Sequence, residues 1–232
     1  MSTEASRFAL LTRLAVKGVL GLGAIGGALF GIAGRIDWPA AWVFLSLLAV
    51  YLFLGAWWFS RRDPELLQER MTTASNVPEW DRLFVRGYWV LLPMLFATAA
   101  LDAGRFRWSD MSVTVQALGV VSIIAAFLVI WWCTASNHFL SASARIQIER
   151  GQRIVQQGPY RFVRHPMYTS LIVLMFGMAL TLGSWLAIVP AALIALSFVV
   201  RTSFEDRMLT AQLTGYREYA NDVQKRLFPA LW

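Results

Sequence analysis

The sequence predicts an all-α, polytopic integral membrane protein with about six transmembrane helices. Of its 232 residues, 57% are hydrophobic and 15% are charged, whereas soluble domains carry about 45–50% apolar and about 25% charged residues. The 11 tryptophans agree with this class, because the indole ring settles at the level of the lipid headgroups. The net charge of +7 does not indicate nucleic-acid binding, since the basic residues cluster at the ends of apolar runs and not on one soluble face.

Four apolar runs are long enough to cross a bilayer, which takes about 20 residues in a helix. They cover residues 14–34, 40–59, 86–103 and 113–135. The first is longer than the core of a signal peptide and lacks a small-residue cleavage site after it, so we expect a retained helix. A fifth apolar region, 168–200, is too long for one span. Its Gly183-Ser184-Trp185 sequence predicts a tight turn between two shorter helices, which form a C-terminal hairpin.

The first span contains GLGAIG at residues 21–26, which matches the dinucleotide-binding pattern G-x-G-x-x-G. That pattern requires a preceding strand, whereas these glycines lie inside an apolar run. Gly23, Gly27 and Gly31 repeat every four residues, a pattern typical of membrane helices that pack closely together. We therefore expect a helix-packing face and no nucleotide site.

The basic residues predict that both termini lie in the cytoplasm. With six spans and the N-terminus inside, 18 of the 21 lysines and arginines lie inside, and only Arg35, Arg105 and Arg107 lie outside. Five spans would place the C-terminal basic cluster outside. The small size favours a prokaryotic inner membrane, and the endoplasmic reticulum is also compatible. Any chemistry that needs water should be assembled from the three longer inside segments, 60–85, 136–167 and 201–232.

Polar residues concentrate where apolar spans begin or end. The stretch GPYRFVRHPMY occupies residues 158–168. Pro159 and Pro166 restrict the preceding residues, which predicts a shaped loop that leads into a helix. Arg164 and His165 stand at the N-terminus of that helix, where anions bind well.

A second polar group lies at the C-terminal end of the hairpin. Arg201 and Glu205 share one helix face, and their spacing permits a salt bridge. Glu205 and Asp206 place two carboxylates close to the bilayer, where acidic residues are rare and usually functional. Arginine and tyrosine could serve only as anchors at the membrane surface. An anion site, carboxylates and aromatic rings together favour a zwitterionic, nucleotide-like cofactor.

These residues resemble the isoprenylcysteine carboxyl methyltransferase family, which is related to the membrane phospholipid methyltransferases. GPYRFVRHPMYTS, an apolar hairpin, R-x-x-x-E-D, GYREYA and RLFP follow the order of that family's motifs. The resemblance covers about residues 130–230, within a predicted methyltransferase core at 111–232 that follows N-terminal helices and a linker at 1–110. Ser170 stands where the family has glycine, and Asp206 replaces the second glutamate of a pair.

The resemblance implies an S-adenosylmethionine-dependent methyltransferase whose product is S-adenosylhomocysteine and which needs no metal. The implied cofactor-binding residues are Asn137, Tyr160, Arg164, His165, Pro166, Tyr168 and Glu205, with His138 a weaker candidate for the pocket wall. Arg201 and Glu205 are the implied catalytic residues, and Arg201 would orient the acceptor. The acceptor would be lipophilic, with the carboxylate of a prenylcysteine-like compound preferred, and would enter from the membrane lipids. The sequence leaves the oligomeric state open.

Three alternatives compete with this interpretation. A phospholipid (ethanolamine) N-methyltransferase would need His165 or Glu205 as a base, because an amine must lose a proton before it accepts a methyl group. A sterol-type NADPH reductase has a similar RH-x-x-Y element and a tyrosine-rich tail. A non-catalytic lipid-binding protein would use the arginines and tyrosines only to anchor its helices.

Overall fold

The computed structural model describes residues 2–71, 77–229 and 232, and that part of the chain contains helices, turns and loops but no strand. In chain order the helices are α1 (Ser2–Ala33), α2 (Pro39–Arg62), α3 (Pro64–Met71), α4 (Glu79–Ala99), α5 (Val113–Ser136), α6 (Pro166–Thr181), α7 (Ile188–Gln212) and α8 (Tyr216–Asp222). A π-helical turn, Ala100–Phe106, extends α4. The predicted all-α class is confirmed.

Five helices are long and apolar enough to cross a membrane: Ala9–Ala33 of α1, α2, Glu79–Phe106 of α4 with its extension, α5 and α7. Their outward faces are apolar, and Val19, Phe53 and Leu128 are each at least 65% exposed. Such a surface is expected where helices face lipid and not water. The protein is a multi-pass membrane protein.

The C-terminal hairpin is present, with its turn at 182–187 between α6 and α7. The expected sixth span, α6, has 16 residues, or about 24 Å of helix. This is shorter than the hydrocarbon core of about 30 Å, so α6 is a short span. Its far end bonds to Asp102, beside the start of α5, so α6 still returns the chain along the length of α5, as the prediction of six spans requires. In contrast, α7 continues to Gln212 and carries the predicted polar group of Arg201, Glu205 and Asp206 on a helix.

Glycines allow α5 and α6 to approach closely. A Cβ atom at Gly119 would lie 2.5 Å from the backbone nitrogen of Thr181, and one at Gly177 would lie 3.2 Å from the carbonyl oxygen of Gly119. Any side chain at Gly119 would push α5 and α6 apart. The close packing of these two helices therefore requires glycine at this position.

The packing face predicted for α1 is wrong for contacts within this chain. An added Cβ at Gly23, Gly27 or Gly31 would meet no described atom within 4 Å. The GLGAIG stretch lies inside an uninterrupted helix, as expected, with no strand before it. A pattern of small residues permits close packing but does not specify which helix supplies the partner, and here the close contact forms elsewhere.

The hairpin turn is tied to the end of α4 by a buried carboxylate. Asp102 is fully buried. It accepts hydrogen bonds from the hydroxyls of Ser184 (2.5 Å) and Ser109 (2.6 Å) and from the backbone N–H of Ser109 (3.0 Å). These bonds fix one end of the hairpin, so that the opposite end, where α6 begins and α7 finishes, is held in a defined position.

Replacing Gly119 with alanine should destabilise the protein by about 1–3 kcal/mol, because the new methyl group overlaps the backbone of α6. Denaturant titration in detergent micelles measures the loss. Gly27→Ala adds the same methyl group in open space and is the matched control. Equal stabilities of the two variants would show that α5 and α6 are not as close as described.

Candidate functional site

A cavity of about 180 Å³ lies at the end of the hairpin where the chain enters α6. Its walls come from the end of α3, the loop that follows α5, the start of α6, the C-terminal part of α7 and the tail, which comprises α8 and its flanking residues, 213–229. These belong to the three segments that the sequence assigns to the cytoplasm. All eight predicted site residues line this cavity, namely Asn137, Tyr160, Arg164, His165, Pro166, Tyr168, Arg201 and Glu205.

Asp206 holds the loop, the tail and α7 together. Arg164 donates to both carboxylate oxygens, with Nε 2.8 Å from Oδ1 and Nη2 3.0 Å from Oδ2. The Tyr216 hydroxyl donates to Oδ1 (2.9 Å) and Arg226 Nε donates to Oδ2 (2.9 Å). His165 Nε2 lies 3.4 Å from Oδ1. A buried carboxylate with several charged and polar donors is a strong, specific link between segments.

Arg164 binds the tail in addition to Asp206. Its Nη1 donates to the carbonyl oxygens of Val223 (2.7 Å) and Gln224 (2.9 Å). The backbone N–H groups of Arg164 and His165 donate to the carbonyls of Lys225 (3.0 Å) and Arg226 (2.8 Å). The N–H donors of Arg164 and His165, which we predicted to bind an anion at the start of α6, therefore bind groups of the protein itself. Arg164 shapes the site by fixing the tail.

Glu205 faces the cavity from α7. The Tyr168 hydroxyl donates to its Oε2 at 2.5 Å. The Tyr168 ring in turn stacks on the His165 ring, with centroids 5.7 Å apart and planes within 7°. Glu205 is the one carboxylate among the described residues that line the cavity. A carboxylate beside stacked aromatic rings suits a ligand that carries a positive charge or hydroxyl groups.

Arg201 pairs with a residue that the sequence did not single out. Its Nη2 lies 2.9 Å from Oδ1 of Asp81 and donates to the carbonyl of Ala142 at 3.1 Å. The guanidinium lies over the rings of Phe84 (4.4 Å) and Tyr168 (5.1 Å). The Arg201–Glu205 salt bridge that the spacing permits is replaced by the Asp81 pair. Asp81 stands in the first turn of α4, before the apolar run that marks this span. An acidic residue at a membrane boundary is the feature of the sequence that could have identified it as a functional candidate.

Tyr160 and Tyr219 form another part of the cavity wall. Asn137 Nδ2 donates to the Tyr160 hydroxyl (3.3 Å), and the Tyr219 hydroxyl donates to the Tyr160 carbonyl (2.7 Å). Burial raises the pKa of the Tyr160 and Tyr219 phenols above the ordinary value, and burial together with the charge of Asp206 does the same for Tyr216. All three phenols are neutral at physiological pH and act as hydrogen-bonding groups.

Glycine is required at the start of the motif. Gly158 has φ of +62°, and a Cβ there would lie 2.3 Å from Oγ of Ser136 at the end of α5. Ser170, which replaces the family's glycine, is buried and donates to the carbonyl of Pro166 at 2.9 Å. It does not line the cavity, so this departure leaves the described walls unchanged.

His138 lies outside the cavity walls. Its Nδ1 is 2.5 Å from Oδ2 of Asp63, at the junction of α2 and α3. The weaker prediction that His138 forms part of the pocket wall is therefore wrong for this structure. Among the described residues, no group of three or more histidine, cysteine, aspartate or glutamate side chains could hold a metal ion.

The comparisons with known proteins agree with this fold. The family model of the phospholipid methyltransferases, PEMT, matches residues 114–214. The solved structure of a eukaryotic intramembrane Ras methyltransferase, the isoprenylcysteine carboxyl methyltransferase ICMT, superposes with a TM-score of 0.51 at 16% identity and covers 96% of this chain and 81% of that chain. The chain is similar to the family model over this region and to the solved structure in its fold. The resemblance predicted from the motifs is confirmed.

A curated relative extends the comparison to bacteria. The cobalt-zinc-cadmium resistance protein CzcN of Cupriavidus metallidurans is 30% identical over 150 residues, which are 62% of this chain and 63% of the relative. The match thus spans less than two thirds of the relative's length.

Replacing Asp206 with asparagine should lower the free energy of unfolding by about 3–5 kcal/mol, because the buried Arg164 guanidinium loses its counter-charge. Denaturant titration in micelles measures this loss. Asp222→Asn removes an exposed carboxylate at the end of α8 and should change stability by less than about 0.5 kcal/mol. Equal effects of the two substitutions would contradict the role of Asp206 as a link between segments.

Asp81→Asn should destabilise by a similar amount, about 3–5 kcal/mol, because it leaves Arg201 buried without its partner. A cycle is formed by the single variants Asp81→Leu and Arg201→Met and by their double variant, which lacks both charges. The double variant should be more stable than the sum of these two single effects predicts. A double-mutant cycle of unfolding free energies gives the coupling. Strict additivity would show that the two side chains do not interact.

Proposed function

We propose that the protein is an S-adenosylmethionine-dependent methyltransferase of a membrane, which transfers a methyl group to a lipophilic acceptor. The preferred acceptor group is the carboxylate of a prenylcysteine-like substrate. The observation that supports this most directly is the placement of Glu205, held by Tyr168, in a cavity that is also lined by the other seven predicted site residues. The fold of a membrane methyltransferase around that cavity supports the same reaction class.

The residues of the cavity fit this methyl donor. The donor combines a sulfonium cation, an amino group and ribose hydroxyls with a carboxylate. The carboxylate of Glu205 can accept hydrogen bonds from the amino group or the hydroxyls. The stacked rings of His165 and Tyr168 offer π faces, and a cation over such a face gains about 0.5–2 kcal/mol. When bound, S-adenosylmethionine supplies a methyl group activated by the positive sulfur.

The protein's part in the reaction is to position two reactants. A carboxylate acceptor is already ionised near neutral pH and needs no base, so orientation supplies most of the rate enhancement. The Asp81 pair and the Ala142 carbonyl hold the Arg201 guanidinium in place before a ligand arrives. In our proposal this preset guanidinium orients the acceptor, while Glu205 and Tyr168 hold the donor.

The topology supports different routes for the two substrates. The cavity walls come from the segments predicted to be cytoplasmic, and we propose that both termini face that compartment, in a prokaryotic inner membrane. The soluble donor would then enter from the cytoplasm. The acceptor would enter sideways from the lipid, because its apolar chain gains nothing from leaving the bilayer.

An N-methyltransferase acting on phospholipid amines is the second candidate, favoured by the match to the phospholipid methyltransferase model. An amine acceptor needs a base. His165 lies against Asp206 and Tyr216, and Glu205 accepts from Tyr168. Because both candidate bases have partners within the protein, the carboxylate acceptor is preferred. Membranes incubated with the radiolabelled methyl donor distinguish these candidates by whether the label appears as a methyl ester or on an amine.

Glu205→Gln should weaken the binding of S-adenosylhomocysteine by about 10- to 100-fold, the value of a hydrogen bond to a charged group. Calorimetric titration of the purified protein measures the Kd. Glu218→Gln removes an exposed carboxylate of α8 and should bind like the wild type. Absence of saturable binding by the wild type would contradict the proposed cofactor and favour a reductase or a non-catalytic lipid-binding protein.

A further inference from the structure

The cavity carries more positive charge than the described ion pairs neutralise. Five arginines line it, Arg70, Arg145, Arg153, Arg164 and Arg201, against one described carboxylate, Glu205. Three of the five have acidic partners behind the cavity wall. Arg145 contacts Glu69 at 2.6 Å and also pairs with Glu149, Arg164 pairs with Asp206, and Arg201 pairs with Asp81. For Arg70 and Arg153, no acidic partner is found among the described residues.

Arg70 and Arg153 differ in their surroundings. Arg153 is exposed, so water and salt screen its charge. Arg70 is half-buried, and within the described ranges no carboxylate lies within salt-bridge distance of it. Burial lowers the pKa of its guanidinium, while Tyr51 and Tyr160 are the titratable groups that interact with it. Both are phenols, which are neutral near pH 7, so Arg70 is a partly desolvated cation without a counter-charge.

The position of Arg70 is set by helix α3. Asp63 precedes that helix and accepts from the N–H of Leu66 at 3.0 Å, while Leu66 is fully buried. Glu69, next to Arg70, is held by Arg145. These contacts fix α3 on both sides, and the following side chain, Arg70, faces the cavity. A fixed cation at a cavity wall is a preorganised site for an anion.

We propose that Arg70 binds a ligand carboxylate in this cavity, in addition to the role proposed for Arg201. This inference rests on the proposed function, in which the donor and the acceptor each bring a carboxylate. A guanidinium presents paired N–H donors that match the two oxygens of a carboxylate. Arg70 comes from the linker between α2 and α4, outside the region that carries the methyltransferase motifs. The N-terminal part of the chain thereby contributes to ligand recognition.

The test compares Arg70→Gln with the wild type for ligands that differ only in a carboxylate. The donor arm uses S-adenosylhomocysteine and its decarboxylated analogue, S-adenosyl-3-thiopropylamine, which keeps the amino group and lacks the carboxylate. The acceptor arm uses an S-prenylated N-acetylcysteine and its methyl ester, added with S-adenosylhomocysteine. We expect Arg70→Gln to weaken one carboxylate ligand by about 10- to 100-fold and its carboxylate-free counterpart by less than about twofold. The arm that shows the loss identifies which carboxylate Arg70 binds.

Arg82→Gln is the matched control, because Arg82 is an exposed arginine at the start of α4 that does not line the cavity. A merely structural Arg70 would be expected to lower the melting temperature of the ligand-free protein when it is replaced. As a binding residue without a protein partner, it should leave that temperature unchanged or raise it. Equal affinities of Arg70→Gln and the wild type in both arms overturn this proposal. Lack of S-adenosylhomocysteine binding by the wild type overturns the proposed function instead.

Discussion

The site depends on one buried carboxylate, Asp206. It accepts hydrogen bonds from Arg164 on the loop before α6, Tyr216 on α8 and Arg226 in the tail. These bonds join α7 to the loop before α6 and to the tail. Because carboxylates are costly to bury unless several donors compensate them, this arrangement also specifies one register of the tail against the loop. Glu205, one residue earlier, is left to face the cavity.

The two adjacent acidic residues therefore have different roles, because the helix points their side chains in different directions. Successive side chains on a helix point about 100° apart, so Asp206 turns toward the tail while Glu205 turns toward Tyr168. The arginines of the cavity also differ, in whether they have an acidic partner. Arg164 and Arg201 each have an acidic partner behind the wall, whereas Arg70 has none among the described residues. In our proposal, the unpaired charge of Arg70 is available to a ligand.

Much of this architecture could be predicted from the sequence, because membrane spans and polar motifs are local signals. The hairpin break at Gly183-Ser184-Trp185 and the clustering of residues 158–168 with Glu205 follow from composition and from a family pattern. The Asp81–Arg201 pair could not be predicted in this way, since the two residues lie on different helices and no periodicity relates them. The prediction of a packing face on α1 was wrong within this chain for a related reason, because a pattern of small residues does not indicate which helix packs against it.

The shortness of α6 determines how deep the cavity lies. Its 16 residues fall about 6 Å short of the hydrocarbon core, and its far end is held at the hairpin turn beside Asp102. If the hairpin turn lies at one edge of the hydrocarbon core, this length places the near end, where His165 and Pro166 stand, below the opposite headgroups. In the proposed reaction the two substrates would then meet at the depth of the first carbons of the lipid chains. A lipid-anchored substrate could react there while its tail remains in the bilayer, and water would have little access to the methyl group.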